Sequence, residues 1–172
     1  MKTQAEIREA IERFTNVIQK KASAGRFTTA TTVRSTGGMA CEIEEGPWRF
    51  DCDMPEVFGG ENTAPGPSFY GRAAIATCVA SGIAKQFALE GLALDSVRVD
   101  VETDVDMSER LYPLTPFHAF RLRVGVETTA PEAQAKQLVE AAVEGSTWCG
   151  NTRTAFDVPA EMSINGKRMV NS

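Results

Sequence analysis

Pro67-Ser68-Phe69-Tyr70-Gly71-Arg72-Ala73-Ala74-Ile75-Ala76-Thr77-Cys78-Val79-Ala80-Ser81-Gly82-Ile83-Ala84 begins a long apolar run that continues to Glu90. Ala73, Ala74, Ile75, Ala76, Cys78, Val79, Ala80, Ile83 and Ala84 leave almost no polar face, so a helix here belongs at the centre of a domain. Pro67 or Ser68 opens it, and Gly91 stands where a C-cap glycine is expected.

The run is flanked by strand patterns. On its C-terminal side, residues 94–105 alternate Val97, Val99 and Val101 with Arg98, Asp100 and Glu102, which is a half-buried strand. After a loop with Pro113 and Pro116, residues 117–128 alternate again through Phe120, Leu122, Val124 and Val126. Pro131 starts a second helix over 133–145. Residues 146–153, Ser-Thr-Trp-Cys-Gly-Asn-Thr-Arg, read as a turn, and 156–164 as a last short strand.

On the N-terminal side, the constrained segment from Met54 to Pro67 holds Pro55, Gly59, Gly60, Pro65 and Gly66 and is neither strand nor helix interior. Before it, 27–33, 39–44 and 48–51 read as an antiparallel meander, turned at Gly37-Gly38 and at Gly46-Pro47. Residues 3–22 form a charged amphipathic helix. Ile7, Ile11, Phe14 and Ile18 lie on one face, Thr3 and Glu6 make a capping box, and Gly25 is the stop. That helix has too little apolar surface to stand alone and should dock on the domain or on a partner subunit. The expected organisation is an N-terminal helix over 1–25 and one α+β domain over 26–172.

Composition narrows the function. Apolar residues make up 42% and charged residues 24% of the 172, so a core forms without disulfide staples. A net charge of -5 argues against a nucleic-acid partner. No apolar run is long enough to span a membrane, and the N-terminus does not read as a secretory signal, so the expected compartment is the cytoplasm. The four cysteines, Cys41, Cys52, Cys78 and Cys149, fit no zinc spacing, and His118 is the sole histidine, so no metal site is expected.

Isolated cysteines in a reducing compartment are usually small buried apolar residues, and Cys41 and Cys52 on strand positions read that way. Cys78 and Cys149 form a workable redox pair: one thiol on the central helix reacts, and another, in a turn after the second helix, swings in to close the disulfide. A thiol in apolar surroundings resists ionisation unless a cation offsets burial, so an arginine is expected near Cys78. Arg34, Arg72 and Arg153 are the candidates. Trp148, beside Cys149, and Phe69 are candidate pocket walls.

The string Phe50-Asp51, Pro55, Gly59-Gly60, Ala64-Pro65-Gly66-Pro67-Ser68, then Ala73 to Cys78, resembles the OsmC/Ohr superfamily. So does the order of parts that follows, to roughly residue 165. The resemblance implies antiparallel sheets wrapped around two central helices in a strand-swapped, intertwined dimer, with sites at the dimer interface. It implies reduction of organic or fatty-acid hydroperoxides, with Cys78 peroxidatic and Cys149 resolving. No cofactor is bound in that scheme; an external dithiol of the dihydrolipoyl type recycles the disulfide. This chain departs from the family in two respects: Ser68 occupies the place of a glutamate that precedes the reactive cysteine, and Gly150 follows the second cysteine where the family often has proline. The first departure favours an alternative, a non-catalytic dimer holding a small apolar or acyl ligand.

Overall fold

From the N-terminus the chain forms α1 (Gln4–Lys20), then β1 (Thr32–Gly37), β2 (Ala40–Glu45) and β3 (Trp48–Cys52) as an antiparallel meander. There follow α2 (Pro67–Glu90), the antiparallel pair β4 (Ser96–Asp104) and β5 (Ala119–Glu127), α3 (Glu132–Glu144), α4 (Thr147–Arg153) and a small pair, β6 (Met162–Ile164) and β7 (Lys167–Met169). This computed structural model describes residues 2–105, 119–153, 162–164 and 167–169. The expected loop with Pro113 and Pro116, and His118 beside it, lie outside the described residues. So do residues 156–161 of the expected last strand, of which 162–164 forms β6.

The central helix runs between the ends read from the sequence, Pro67 in its first turn and Gly91 closing it in the left-handed conformation at φ 67°. Its core stripe is Ile75, Val79, Ile83 and Phe87, four residues apart, and the last three are fully buried. Burial of each such side chain contributes about 1.5–3 kcal/mol. Against this stripe pack Val97, Val99 and Val101 of β4 and Leu122, Val124 and Val126 of β5, with Ala135 and Ala142 of α3. The register pairs Val97 with Val126, Val99 with Val124 and Val101 with Leu122, so the apolar sides coincide. The other side carries Arg98, Asp100, Glu102, Arg121 and Arg123 in ion pairs, among them Arg121 with Asp104 at 2.6 Å.

α1 is capped as expected: Thr3 N–H donates to Glu6 Oε2 at 2.7 Å, and Glu6 N–H to Thr3 Oγ1 at 3.3 Å. It packs against α2. Among the described residues, no helix is long and apolar enough to cross a membrane.

The first strand differs from its expected position. The Thr-rich run 27–31 is irregular, and β1 begins at Thr32. Pairing explains the shift. β2 ends at Glu45, where Gly46 turns the chain, and Thr32 already lies opposite Glu44, so residues farther upstream have almost nothing to pair with. Intrinsic β preference yields to the available partner.

Register sorts the meander into two faces. Val33, Cys41, Ile43, Phe50, Cys52 and Trp48 share one, while Arg34, Glu42, Glu44, Arg49 and Asp51 share the other. Glu44 sits between Arg34 at 2.7 Å and Arg49 at 3.1 Å on the charged side. Val33, Trp48 and Phe50 on the apolar side are more than half exposed. The meander is tied to the rest at its last strand, where Tyr70 Oη of α2 donates to the Asp51 carbonyl and Asp53 N–H to the Pro65 carbonyl.

Asp53 organises the segment that leads into α2. Its buried carboxylate accepts from Met54 N–H at 2.7 Å, from Glu61 and Thr63 N–H at 3.1 Å each, and from Thr63 Oγ1 at 2.9 Å. Gly60 is obligatory inside that wrap, since a Cβ there would stand 1.9 Å from the Met54 carbonyl oxygen. The Thr63 N–H, followed by the other donors, holds the Asp53 carboxyl below its ordinary value against the cost of burial.

Two predictions follow from this packing. Ile83→Ala should cost about 2–5 kcal/mol, the range for emptying a well-packed aliphatic site, read from denaturant unfolding. For Asp53, the depressed pKa makes its contribution complete above the unfolded value, about 3.9, and lost as pH falls through the folded value. Asp53→Asn should therefore lower Tm at neutral pH, and the gap to the wild-type chain should close as pH drops below about 4. A gap unchanged at acid pH would mean that the carboxylate charge is not what holds the segment.

Candidate functional site

Cys78 comes three residues after Ile75 and one before Val79, which puts it beside the buried stripe of α2, half-buried. What it faces is the head of α4. The Ser146 hydroxyl and the backbone N–H groups of Trp148 and Thr147 hold the thiol below its ordinary value, although burial opposes them. A thiolate gains most from such donors, because they stabilise the charged form selectively.

Ser146 does two things at once. It is buried, 5% exposed, and its Oγ also accepts the backbone N–H of Cys149 at 3.3 Å. Cys149 lies three positions after Ser146, which is how a serine caps the start of a helix. One hydroxyl therefore connects the sulfur of Cys78 to the backbone of Cys149. Cys149 is buried in the same core cluster as Ile75 and Val79.

A cavity of about 760 Å³ opens beside this junction. Pro67, Ser68, Gly71, Arg72 and Ile75 of α2 form one wall, Thr103, Phe120 and Leu122 of the β4–β5 pair a second, and Trp148 and Cys149 of α4 a third. Its lining is mainly apolar, with Arg72 as its cation; Arg72 Nη1 lies 3.4 Å from Thr103 Oγ1. Cys149 lines this cavity and Cys78 does not.

The structure thus gathers Ser68, Arg72, Trp148 and Cys149 around one cavity, with Cys78 joined to it through Ser146. Phe69 instead points elsewhere, half exposed and edge-on to Tyr70 at 5.3 Å between ring centres. Arg34 is on the charged face of the meander, bound to Glu44. Arg153 ends α4, and its side chain lies outside the described residues.

One expectation is revised. Residues 147–153 are helical, because the Ser146 cap and the docking of Cys149 into the core outweigh a Gly- and Asn-containing composition. Hydrogen-bond donors, the Ser146 hydroxyl first, hold the Cys78 thiol below its ordinary value. Ser146 and Thr147 were not among the residues expected from sequence. Ser146, three places before Cys149, carried a legible capping signal, whereas backbone N–H groups carry none.

The model of the OsmC-like protein family matches residues 60–158, more than half of the chain and the whole of this site. The chain belongs to the OsmC-like protein family. Among solved structures, the chain is similar to an organic hydroperoxide resistance protein OsmC of Legionella pneumophila, at 25% identity over 74% of this chain and 90% of that one, with a TM-score of 0.52. It shares its fold with an organic hydroperoxide resistance protein from Elizabethkingia anophelis, at 14% identity over 74% and 89%, TM-score 0.59. An OsmC-like protein from Vibrio cholerae aligns at 12% identity over 73% and 93%, TM-score 0.61. No curated protein matches the chain. The α+β architecture of antiparallel sheets and packed helices is that of these OsmC-like neighbours.

If Ser146 is the leading donor to Cys78, Ser146→Ala should move the midpoint of Cys78 alkylation by iodoacetamide to higher pH and slow the reaction at pH 7. Ser146→Thr, which keeps the hydroxyl, should restore the profile. An unmoved midpoint in the alanine variant would remove Ser146 from the account.

Proposed function

We propose that this OsmC-like protein reduces organic hydroperoxides with Cys78 as the attacking thiolate and Cys149 as the resolving thiol. The observation that carries this reading is the Cys78 thiol, held ionisable by Ser146 and two backbone N–H groups next to an apolar cavity. The Legionella relative, described as an organic hydroperoxide resistance protein, supports it.

In the first step the Cys78 thiolate attacks the distal peroxide oxygen. The O–O bond breaks, the alkoxide takes a proton and leaves as the alcohol, and Cys78 becomes a sulfenic acid. Arg72, lining the cavity, is the cation we assign to the developing negative charge. The Cys149 thiol then attacks the sulfenate sulfur, releasing water and closing the disulfide. An external dithiol of the dihydrolipoyl type restores both thiols and leaves as its own disulfide. No resident cofactor takes part, and the reading fits a cytoplasmic protein.

We also assign a homodimer. The exposed apolar face of the meander, with Val33, Trp48 and Phe50, is continuous and unpartnered among the described residues, and a second copy that exchanges strands would cover it. Sites at that interface would receive residues from both subunits.

A second reading has its own support. Cys149, not Cys78, lines the cavity, and Ser68 stands where the family carries a carboxylate. Both features favour a binder that holds an apolar or acyl chain against Phe120, Leu122 and Trp148 without turnover.

Cumene hydroperoxide, added at one equivalent, separates the two. Peroxidase chemistry should join the Cys78 and Cys149 peptides by a disulfide. Cys78→Ser should abolish that link, and Cys149→Ser should stop at a dimedone-reactive sulfenate on Cys78 or over-oxidise. Unchanged thiols at both positions, with an acyl ligand retained through purification, would establish the binder instead.

A further inference from the structure

The core stripe of α2 stops short of the start of the helix. Ile75, Val79, Ile83 and Phe87 recur every four residues, and the next place toward the N-terminus is Gly71. The facing strand continues past that point. Along β5 the dry side runs through Val126, Val124 and Leu122 and then to Phe120, which register sets opposite Thr103 of β4. A large apolar residue at position 71 would carry the packed stripe on toward Phe120. The cavity of about 760 Å³ opens there instead, with Gly71, Ile75, Phe120, Leu122 and Trp148 in its lining.

Nothing in the backbone or the packing calls for glycine at 71. It lies inside α2 and outside the left-handed region, and a Cβ there would meet nothing within 4 Å. Glycine in a helix interior is less favourable than alanine, so the missing side chain weakens α2. What it leaves is room. The walls of that room indicate what fills it. Phe120 and Trp148 stay exposed although both line the cavity, and among the described residues neither has another aromatic ring against it. Aromatic side chains gain from a ring set edge-on or offset against them, beyond the area they bury. The volume is that of a small-molecule site.

We infer that Gly71 is a specificity-determining residue, whose missing side chain leaves the place for a ring-bearing apolar group seated against Phe120 and Trp148. The substrate class narrows accordingly to hydroperoxides whose alkyl part carries a ring. The inference rests on the cavity being the ligand site of the proposed function. It concerns how that ligand is selected, not whether the thiols turn it over.

The test reads binding apart from chemistry. Alcohols carry no O–O bond, so a failed peroxidase assay leaves their binding measurable. The full chain, with its thiols reduced, is titrated calorimetrically with cumyl alcohol, which has a ring, and with nonanol, a linear alcohol of equal carbon number. Gly71→Leu should extend the stripe and hold or raise Tm. It should also shift the ratio of the two affinities against the ring by at least about fivefold, the effect of intruding on a fitted site. Gly71→Ala should raise Tm and shift the ratio the same way by less, and it carries the test if the leucine variant fails to fold. No binding of cumyl alcohol to the wild-type chain, an equal loss for both alcohols, or a lowered Tm in the alanine variant would overturn the inference. A changed sedimentation coefficient in either variant would overturn it too, because the space would then belong to a second copy of the chain.

Discussion

The structure depends on one stripe of side chains. Ile75, Val79, Ile83 and Phe87 bind α2 to the valine side of the β4–β5 pair and to α3, and that contact fixes the rotation of α2 about its axis. A helix with apolar residues almost all round has no unique orientation of its own; the flat, β-branched surface it meets selects one. Once Ile75 and Val79 are buried, Cys78 is carried to the edge of the stripe, where α4 begins. Cys149 is held from the other direction, by its place in the same cluster. The Cys78 thiol and the Cys149 backbone both meet Ser146 because α2 packs against the head of α4.

Legibility followed the kind of signal. The limits of α2 were readable because Pro67 and Gly91 state them through backbone chemistry that needs no context. The alternation in β4 and β5 was equally plain, since one face must be dry and the other carries paired charges. The start of β1 was not readable: a strand needs something to pair with, and where β2 ends is a fact about another segment. The helical state of 147–153 was hidden for a related reason, as it rests on a cap and on a buried cysteine rather than on helix-forming residues. The site was half legible. Both cysteines could be named, but two of the groups that lower the Cys78 thiol are main-chain amides, which no sequence pattern marks.

The meander has a different relation to the rest. Its charged face is complete, with Glu44 held between two arginines, while its apolar face looks outward. Its attachment is concentrated at Asp51 and Asp53, where Tyr70 and the wrapped segment hold the last strand. A sheet built this way contributes little to the core, and its Val33, Trp48 and Phe50 stay more than half exposed.

The reliance of Cys78 on Thr147 and Trp148 through their amide groups bears on how such a protein can diverge. Every amino acid other than proline carries that amide, so mutation can rewrite the letters at those two places and leave the electrostatics in force. What is inherited is the course of the polypeptide, and alignment columns will undervalue it. The hydroxyl of Ser146 is the exception, the one donor in the set that substitutions other than proline can erase, and so the place where descendants of this chain would diverge in reactivity first.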